Sequence, residues 1–390
     1  VEGSLGGVSF DKLFDTFCTD ARSSGLPLLR GQLGMRILHP LVESVDLVWW
    51  REKQIESNVR AYSDSPQGWL DSPTYWMLTE NVMELRRRLT TDSPQRLQFP
   101  IFNEFVAHGA TDYFAQLTPF DESDAAVESQ DGMMVSWVSD APDGFSQENI
   151  DTLKRFQPYL GIVAKLYKRE STVHNIAAAY LGNDAGKRVL AGQIRLGEFE
   201  KIPSVIWYSD LRRSTAMAEE LSPEDFSTVL NAYFDCTAGA VLKHHGEVLR
   251  FIGDAVLAVF PVSSELSLST AAENAIRASM ESRRKLAVVN ARRLPSMPVT
   301  IDFGVGLHVG ELMYGNIGLP SRLEFSVIGP VANEVSRLED LTKETGTPIL
   351  VSGKFAEVLD LSWRDFGVRE ARGVRDGLHA LAPPVEIPGF

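Results

Sequence analysis

Two aspartates stand where strands give way to turns. Asp210 closes the run Val205-Ile206-Trp207-Tyr208-Ser209-Asp210, and Asp254 follows Phe251-Ile252-Gly253 and leads into Ala255-Val256-Leu257-Ala258-Val259-Phe260. Apolar, β-branched and aromatic runs of this kind favour strands, so each carboxylate is pinned at a rigid position. A carboxylate held that way is a natural ligand for a hard, oxygen-seeking cation. With Asn333 and Arg337 further along, the set suits metal-dependent phosphoryl transfer. Asn333 and Arg337 lie four apart on a predicted helix and share a face. The competing reading is structural: the aspartates cap turns, and Arg337 pairs with Glu334 or Asp340.

The bulk composition narrows the classes of function. A chain of 390 residues is expected to hold about two or three domains, and 44% hydrophobic residues is ordinary for globular cores. Acidic residues outnumber basic ones, 52 to 38, for a net charge of −14. That balance disfavours nonspecific binding to nucleic acid or to an anionic membrane, where clustered Lys and Arg are needed. The short basic clusters Arg86-Arg87-Arg88 and Arg283-Arg284-Lys285 read as solvated faces. Cys18 and Cys236 are far apart and read as free thiols, which suits a reducing compartment. No apolar run approaches the ~18 to 20 residues that span a bilayer, and Val1-Glu2-Gly3-Ser4 carries no signal-peptide pattern. The expectation is a cytoplasmic protein with no membrane span.

The elements around these residues fall into three stretches. Residues 1–168 mix patterns. Phe10, Leu13, Phe14 and Phe17 begin an amphipathic helix, and Asp46–Trp50, Gln98–Phe102 and Met133–Val138 look like strands. A helix opens after Phe145-Ser146, with Ile150, Leu153, Phe156, Leu160, Val163 and Leu166 stepping by three or four. Trp49, Trp50, Trp69, Trp76 and Trp137 either pack a core or line a pocket, and His39 before Pro40 reads as structural. Residues 169–202 are helix-rich, broken at Gly182 and Gly192, and read as a linker that either pairs with its twin or packs within the chain.

From residue 203 the pattern sharpens to strand, helix, hairpin, helix, strand, a β-α-β-β-α-β order expected of a ferredoxin-like core. Ser222-Pro223-Glu224-Asp225 has the cap, the first-position proline and the acidic first turn of a helix start. Gly246 is expected to close that helix. Glu247–Phe260 reads as a hairpin pivoting at Gly253-Asp254. A helix is expected over about Ser267–Arg293, a strand over Val299–Val309, another over Leu323–Ile328, and a helix over Val331–Glu344.

Two resemblances follow from these residues. The strand ending in an Asp/Pro/Gly loop, then a Phe-Ser helix start, resembles the end of a GAF-type sensory domain. Tyr208-Ser209-Asp210-Leu211 with Ser214-Thr215, Gly246 to Asp254, Gly306-Leu307-His308-Val309-Gly310 with Gly315-Asn316-Ile317-Gly318, and Phe325 to Gly329 running into Asn333-Glu334-Val335-Ser336-Arg337 together resemble a class III nucleotidyl cyclase catalytic domain. Each stretch alone is weak; four in order are specific. The implied architecture is α+β: a GAF-like regulatory domain at 1–168, a helical signalling linker at 169–202 and a ferredoxin-like catalytic domain at 203–390.

The cyclase resemblance implies an adenylate cyclase that turns ATP into 3′,5′-cyclic AMP and pyrophosphate. It implies two Mg²⁺ or Mn²⁺ per site on Asp210, Asp254 and the Leu211 carbonyl, and ribose and transition-state contacts from Asn333 and Arg337. It implies base contacts from Arg250 and Ser326 and phosphate contacts from Arg213, Ser214, Thr215 and Arg372. It further implies a homodimer with shared sites, regulated by a small molecule or protein at the N-terminal domain. The chain departs from the family at several of these positions. Arg213-Ser214 replaces Gly-Phe, Arg250 replaces the common Lys, Ser326 replaces Asp or Thr, and Arg372 replaces a Lys. Arg213 either contacts phosphate or faces water, and Arg250 either reads the base or only flanks the hairpin. Guanylate cyclase, and a degenerate module that binds nucleotide without turning it over, are the alternatives.

Overall fold

The computed structural model describes residues 9–64, 67–90, 93–94, 98–120, 131–292 and 299–384. The chain forms two compact units, Val1–Ala179 and Tyr180–Phe390.

The first unit runs α1 (Phe10–Ser23), β1 (Leu28–Arg36), β2 (Val42–Trp50), β3 (Glu56–Ala61), α2 (Gln67–Leu70), α3 (Pro73–Thr79), β4 (Glu84–Arg88), α4 (Ile101–Ala107), β5 (Asp112–Pro119), β6 (Gly132–Ser139) and α5 (Gln147–Leu181). Its six strands form an antiparallel sheet in the order β3-β2-β1-β6-β5-β4. Alternation along the strands sorts side chains to two faces. Leu33, Leu47, Val135 and Trp137 pack with Phe14 of α1 and Leu153 of α5. Tyr113, Ala115 and Val138 pack with Met77 of α3 and with Phe102 and Phe105 of α4. Asp112, fully buried, ties the sheet to the start of α5. It accepts from Arg86 at 2.7 Å and from the Phe145 N–H at 3.0 Å.

The structure corrects the reading of Gln98–Phe102 as a strand. Ile101 opens α4, and Phe99, Phe102 and Phe105, three apart, drive one helical face into the core. A short apolar run fits either period, and only its burial on one side decides between them. Trp49 and Trp137 are core, whereas Trp50 packs beside Phe105 and His108. Nδ1 of His39 accepts from the N–H groups of Leu41 and Val42, a turn contact. Cys18 and Cys236 are both free and buried.

The second unit runs α6 (Asn183–Leu190), β7 (Phe199–Leu211), α7 (Ser214–Glu220), α8 (Pro223–Lys243), β8 (Glu247–Ile252), β9 (Ala255–Pro261), α9 (Leu268–Arg292), β10 (Phe303–Leu319), β11 (Arg322–Ile328), α10 (Pro330–Thr345), β12 (Ile349–Ser352), α11 (Gly353–Ala356), β13 (Arg364–Ala371) and β14 (Val374–Ala382). The sheet order is β13-β14-β12-β10-β7-β9-β8, with β11 paired to β10. Within it β7-α8-β8-β9-α9-β10 is the expected β-α-β-β-α-β unit. Val229, Tyr233 and Ile276 of α8 and α9 bury Trp207 and Phe260 on one face. Val331 and Val335 of α10 cover Ile206 and Leu257 on the other.

Ser222 caps α8, its hydroxyl accepting from the Asp225 N–H at 3.1 Å. The close of α8 differs from the sequence reading. His245 takes the left-handed turn (φ 62°), while Gly246 is required by packing. A Cβ there would lie 2.6 Å from Val241 and 2.8 Å from Phe260. Among the described residues, no helix is long and apolar enough to cross a membrane.

Candidate active site

Strand β7 carries the first carboxylate, and a buried network holds that strand in place. Trp207 Nε1 donates to Ser209 Oγ at 3.2 Å, and Ser209 Oγ shares a hydrogen bond of 2.9 Å with the Tyr233 hydroxyl of α8. Asp210 then pairs with Ala255 of β9 on one side and Gly304 of β10 on the other. Asp254 occupies the β8–β9 turn beside Gly253, whose φ of 62° needs glycine. The Leu211 N–H points to the Asp254 carbonyl at 3.4 Å. The ladder therefore sets the two aspartates side by side.

Their electrostatics agree with that placement. Burial, then the nearby Asp254, raises the Asp210 carboxyl above its usual range, and Lys343 opposes both. Lys343 Nζ lies 3.5 Å from Asp210 Oδ2 and 3.5 Å from Asp340 Oδ1. The cluster has thus drawn a cation from its own chain. Oxygen-only donors suit Mg²⁺ or Mn²⁺ better than Zn²⁺. Among the described residues no group of three or more His, Cys, Asp or Glu could hold a metal. Two carboxylates still fit Mg²⁺, which is usually held by one or two carboxylates plus substrate phosphate.

Helix α10 is seated by two glycines of β10. A Cβ on Gly306 would lie 2.7 Å from the Val335 carbonyl oxygen, so the helix backbone rests on the strand. A Cβ on Gly304 would collide with Glu339, Thr342 and Arg212. Those three form a buried cluster: Arg212 Nη1 lies 3.1 Å from Glu339 Oε1, and Arg212 donates to the Thr342 hydroxyl. Burial pushes the Glu339 carboxyl up to about 7, against the pull of Arg212 and Lys343.

With that face buried, Asn333, Arg337 and Asp340 lie on the outer stripe. Asn333 is exposed, and Arg337 Nη1 pairs with Asp340 Oδ2 at 2.9 Å. The structural pairing considered for Arg337 therefore exists within the protomer. Arg250 of β8 pairs with Glu324 of β11 at 2.9 Å, both half-exposed. Ser326 is buried opposite Gly315. Arg213 is exposed and takes φ 59° ahead of Ser214 and Thr215, which begin the seven-residue α7. Arg372 is exposed beside Gly373 (φ 81°) in the β13–β14 turn.

Asp210 and Asp254 are thus brought together. No hydrogen bond or ion pair among the described residues links either one directly to Asn333, Arg337, Arg250, Ser326, Arg213 or Arg372. Sequence reasoning missed Arg212, Glu324, Glu339 and Lys343. The available signal was Glu339 and Lys343, an i,i+4 opposite-charge pair on the helix of Asn333 and Arg337.

Residues 198–377 match the adenylate and guanylate cyclase catalytic domain. This region belongs to that family. Adenylate cyclase 1 of Rhizobium meliloti (strain 1021) is 30% identical over 168 residues, 43% of this chain and 25% of that protein. The adenylate cyclase of Anabaena cylindrica is 30% identical over 163 residues, 41% of this chain and 31% of that protein. The chain thus spans between a quarter and a third of these two relatives. Among solved structures, the adenylyl cyclase CyaB from P. aeruginosa is similar, at 22% identity and a TM-score of 0.44, covering 50% of this chain and 99% of that one. The cyclase domain lies in the second unit and contains every residue singled out for chemistry.

Proposed function

We propose that the chain is an adenylate cyclase working as a homodimer. The ribose 3′-oxygen of ATP bonds to the α-phosphorus, the bond from that phosphorus to the bridging oxygen breaks, and pyrophosphate leaves. The 3′-hydroxyl proton passes to solvent. The observation that carries this reading is the Asp210–Asp254 pair, whose charge holds Lys343 3.5 Å from Asp210 in a region of the cyclase family.

Asp210, Asp254 and the Leu211 carbonyl would hold two divalent cations, Mg²⁺ or Mn²⁺, which when bound acidify the hydroxyl and neutralise the leaving phosphates. Arg337 would release Asp340 and set its charge against the α-phosphate, a contribution of about 10²–10³ in rate. Asn333 would orient the ribose. Arg250 would donate to adenine N1 and Ser326 would accept from N6. Arg213, Ser214, Thr215 and Arg372 are the candidates for triphosphate contacts.

A head-to-tail dimer supplies the two half-sets to one site, and each copy carries both. Helix α5 supports pairing: Tyr159, Ile162, Leu166, Val173 and Ile176 are exposed at intervals of three, four and seven, the spacing of a coiled-coil seam. The N-terminal unit would act as a GAF-like regulatory domain on the alignment of the two copies. A displacement of ~1 Å can cost ~100-fold in rate. Free buried thiols suit a cytoplasmic setting.

One observation favours GTP instead. The Glu324 carboxylate beside Arg250 could accept from guanine N1 and N2. The test supplies ATP or GTP with Mn²⁺ or Mg²⁺ and identifies the product. Cyclic AMP that disappears in Asp254→Asn supports the proposal. Cyclic GMP alone would replace ATP by GTP, and intact nucleotide despite tight binding would leave a binding module.

A further inference from the structure

The first unit holds an open-sided cavity of about 330 Å³ between the sheet and the α2–α3 segment, on the face away from α1 and α5. That volume is at the small end of the range for small-molecule sites. Its wall is mostly apolar, with Trp69, Leu117 and Met134, and it holds Gln32 and the charged residues Asp46, Arg36, Arg60 and Asp131, the last paired with Lys168 at 2.6 Å.

The charges in this wall are unevenly paired. Arg60 lies 3.1 Å from Glu43 and stacks on Trp69, its guanidinium 4.5 Å from the ring centre. Arg36 lies 3.2 Å from the same Glu43. Asp46 has no ion-pair partner among the described residues. Its carboxylate is oriented instead by neutral contact: Gln32 Nε2 donates to Asp46 Oδ1 at 2.9 Å, and buried Arg30 donates to Gln32 Oε1 at 2.9 Å. Gly34 faces Asp46 across the β1–β2 ladder, and a Cβ there would collide with Asp46 Oδ1. The glycine therefore keeps room for the carboxylate. Oδ2 accepts no hydrogen bond from a described residue. Burial holds the Asp46 carboxyl above its usual range, with Gln32, Arg60 and Arg30 opposing. A carboxylate desolvated without a cation is costly, and a cation brought by a ligand offsets that cost.

We propose that this cavity binds a small organic cation, an apolar body bearing one protonated amine that seats on Oδ2 of Asp46. The apolar body fills the space between Trp69 and Met134, and the ammonium donates a charge-assisted hydrogen bond to the oxygen that Gln32 leaves free. Binding does not rest on the cyclase reading, because it is measured without nucleotide.

The test uses the full chain with 2-phenylethylamine, 4-phenylbutylamine and octylamine, the corresponding alcohols, and 4-phenylbutyrate. Tryptophan fluorescence and thermal midpoint report binding. At least one amine should bind about tenfold or more tighter than its alcohol, and Asp46→Asn should remove that preference. Should Asp46→Asn not fold, the comparison of amine with alcohol on the native chain decides. The assignment is overturned if no amine binds up to millimolar concentration or if amine and alcohol bind alike. It is also overturned if the carboxylate binds best, which would move the site to Arg60. An amine that binds and leaves nucleotide turnover unchanged supports the site and removes the regulatory role.

Discussion

Lys343 Nζ lies 3.5 Å from Asp210 Oδ2, closing a line of alternating charge that runs Arg337, Asp340, Lys343, Asp210. On the proposed function, the ammonium stands where a divalent cation would have to compete for the same carboxylate. Replacing it with a neutral side chain of similar length should ease that competition. Lys343→Met is expected to lower the Mn²⁺ concentration for half-maximal turnover about two- to fivefold, the range of a partly exposed ion pair. A higher requirement would show that Lys343 supports the site.

The proposed sharing of sites between two copies makes a sharper prediction. Asp254→Ala and Arg337→Ala should each be nearly inactive as homodimers, and mixing them should restore activity because one of the two interfacial sites is then intact. Heterodimers that form, as seen by mass, yet stay silent would end the shared-site account.

Glu339 predicts a pH dependence of stability. Its carboxyl is raised to about 7 in the folded chain, above the value of 4.5 for an unperturbed glutamate. Between those values the folded state binds more protons than the unfolded one, so this contribution is full below about pH 4.5 and is lost as pH rises through about 7. Glu339→Gln should remove the loss. Its stability relative to the native chain should rise by about 1–3 kcal/mol between pH 5 and pH 8. Urea midpoints measured with EDTA give the comparison. A constant difference across that range would contradict the assignment.

Arg213 holds a left-handed conformation (φ 59°), the region that favours glycine. A side chain there costs about 1–2 kcal/mol against glycine. Glycine also has more freedom to lose on folding, so Arg213→Gly should stabilise by about 1 kcal/mol, read as a higher thermal midpoint. The KM for nucleotide separates the two readings of Arg213. An unchanged KM means the guanidinium faces water, and a rise means it touches phosphate.

Local pattern was enough to locate much of the second unit. The β-branched run to Asp210, the Gly253-Asp254 turn, the capped start at Ser222 and the period of α10 each rest on neighbours in sequence. Backbone sterics and side-chain alternation act over a few residues and are therefore legible in the chain. The first unit was less so. Strand β1 carries Arg30, Gln32 and two glycines, and β4 reads Glu-Leu-Arg-Arg-Arg, so neither shows a simple apolar alternation. Phe99 to Phe105 fits two periods, and burial against Tyr113 selects the helix.

What the chain alone determined is the chemistry on offer: carboxylates at two strand ends, an asparagine and an arginine on one helical face, and an excess of acidic over basic residues. The tertiary structure decided which charges meet. Asp210 and Lys343 are separated by 133 positions in the chain, and Arg212 and Glu339 by more than a hundred. They converge because Gly304 and Gly306 let α10 settle on β10. Long-range electrostatics depends on where the core brings the backbone, and no local period records that.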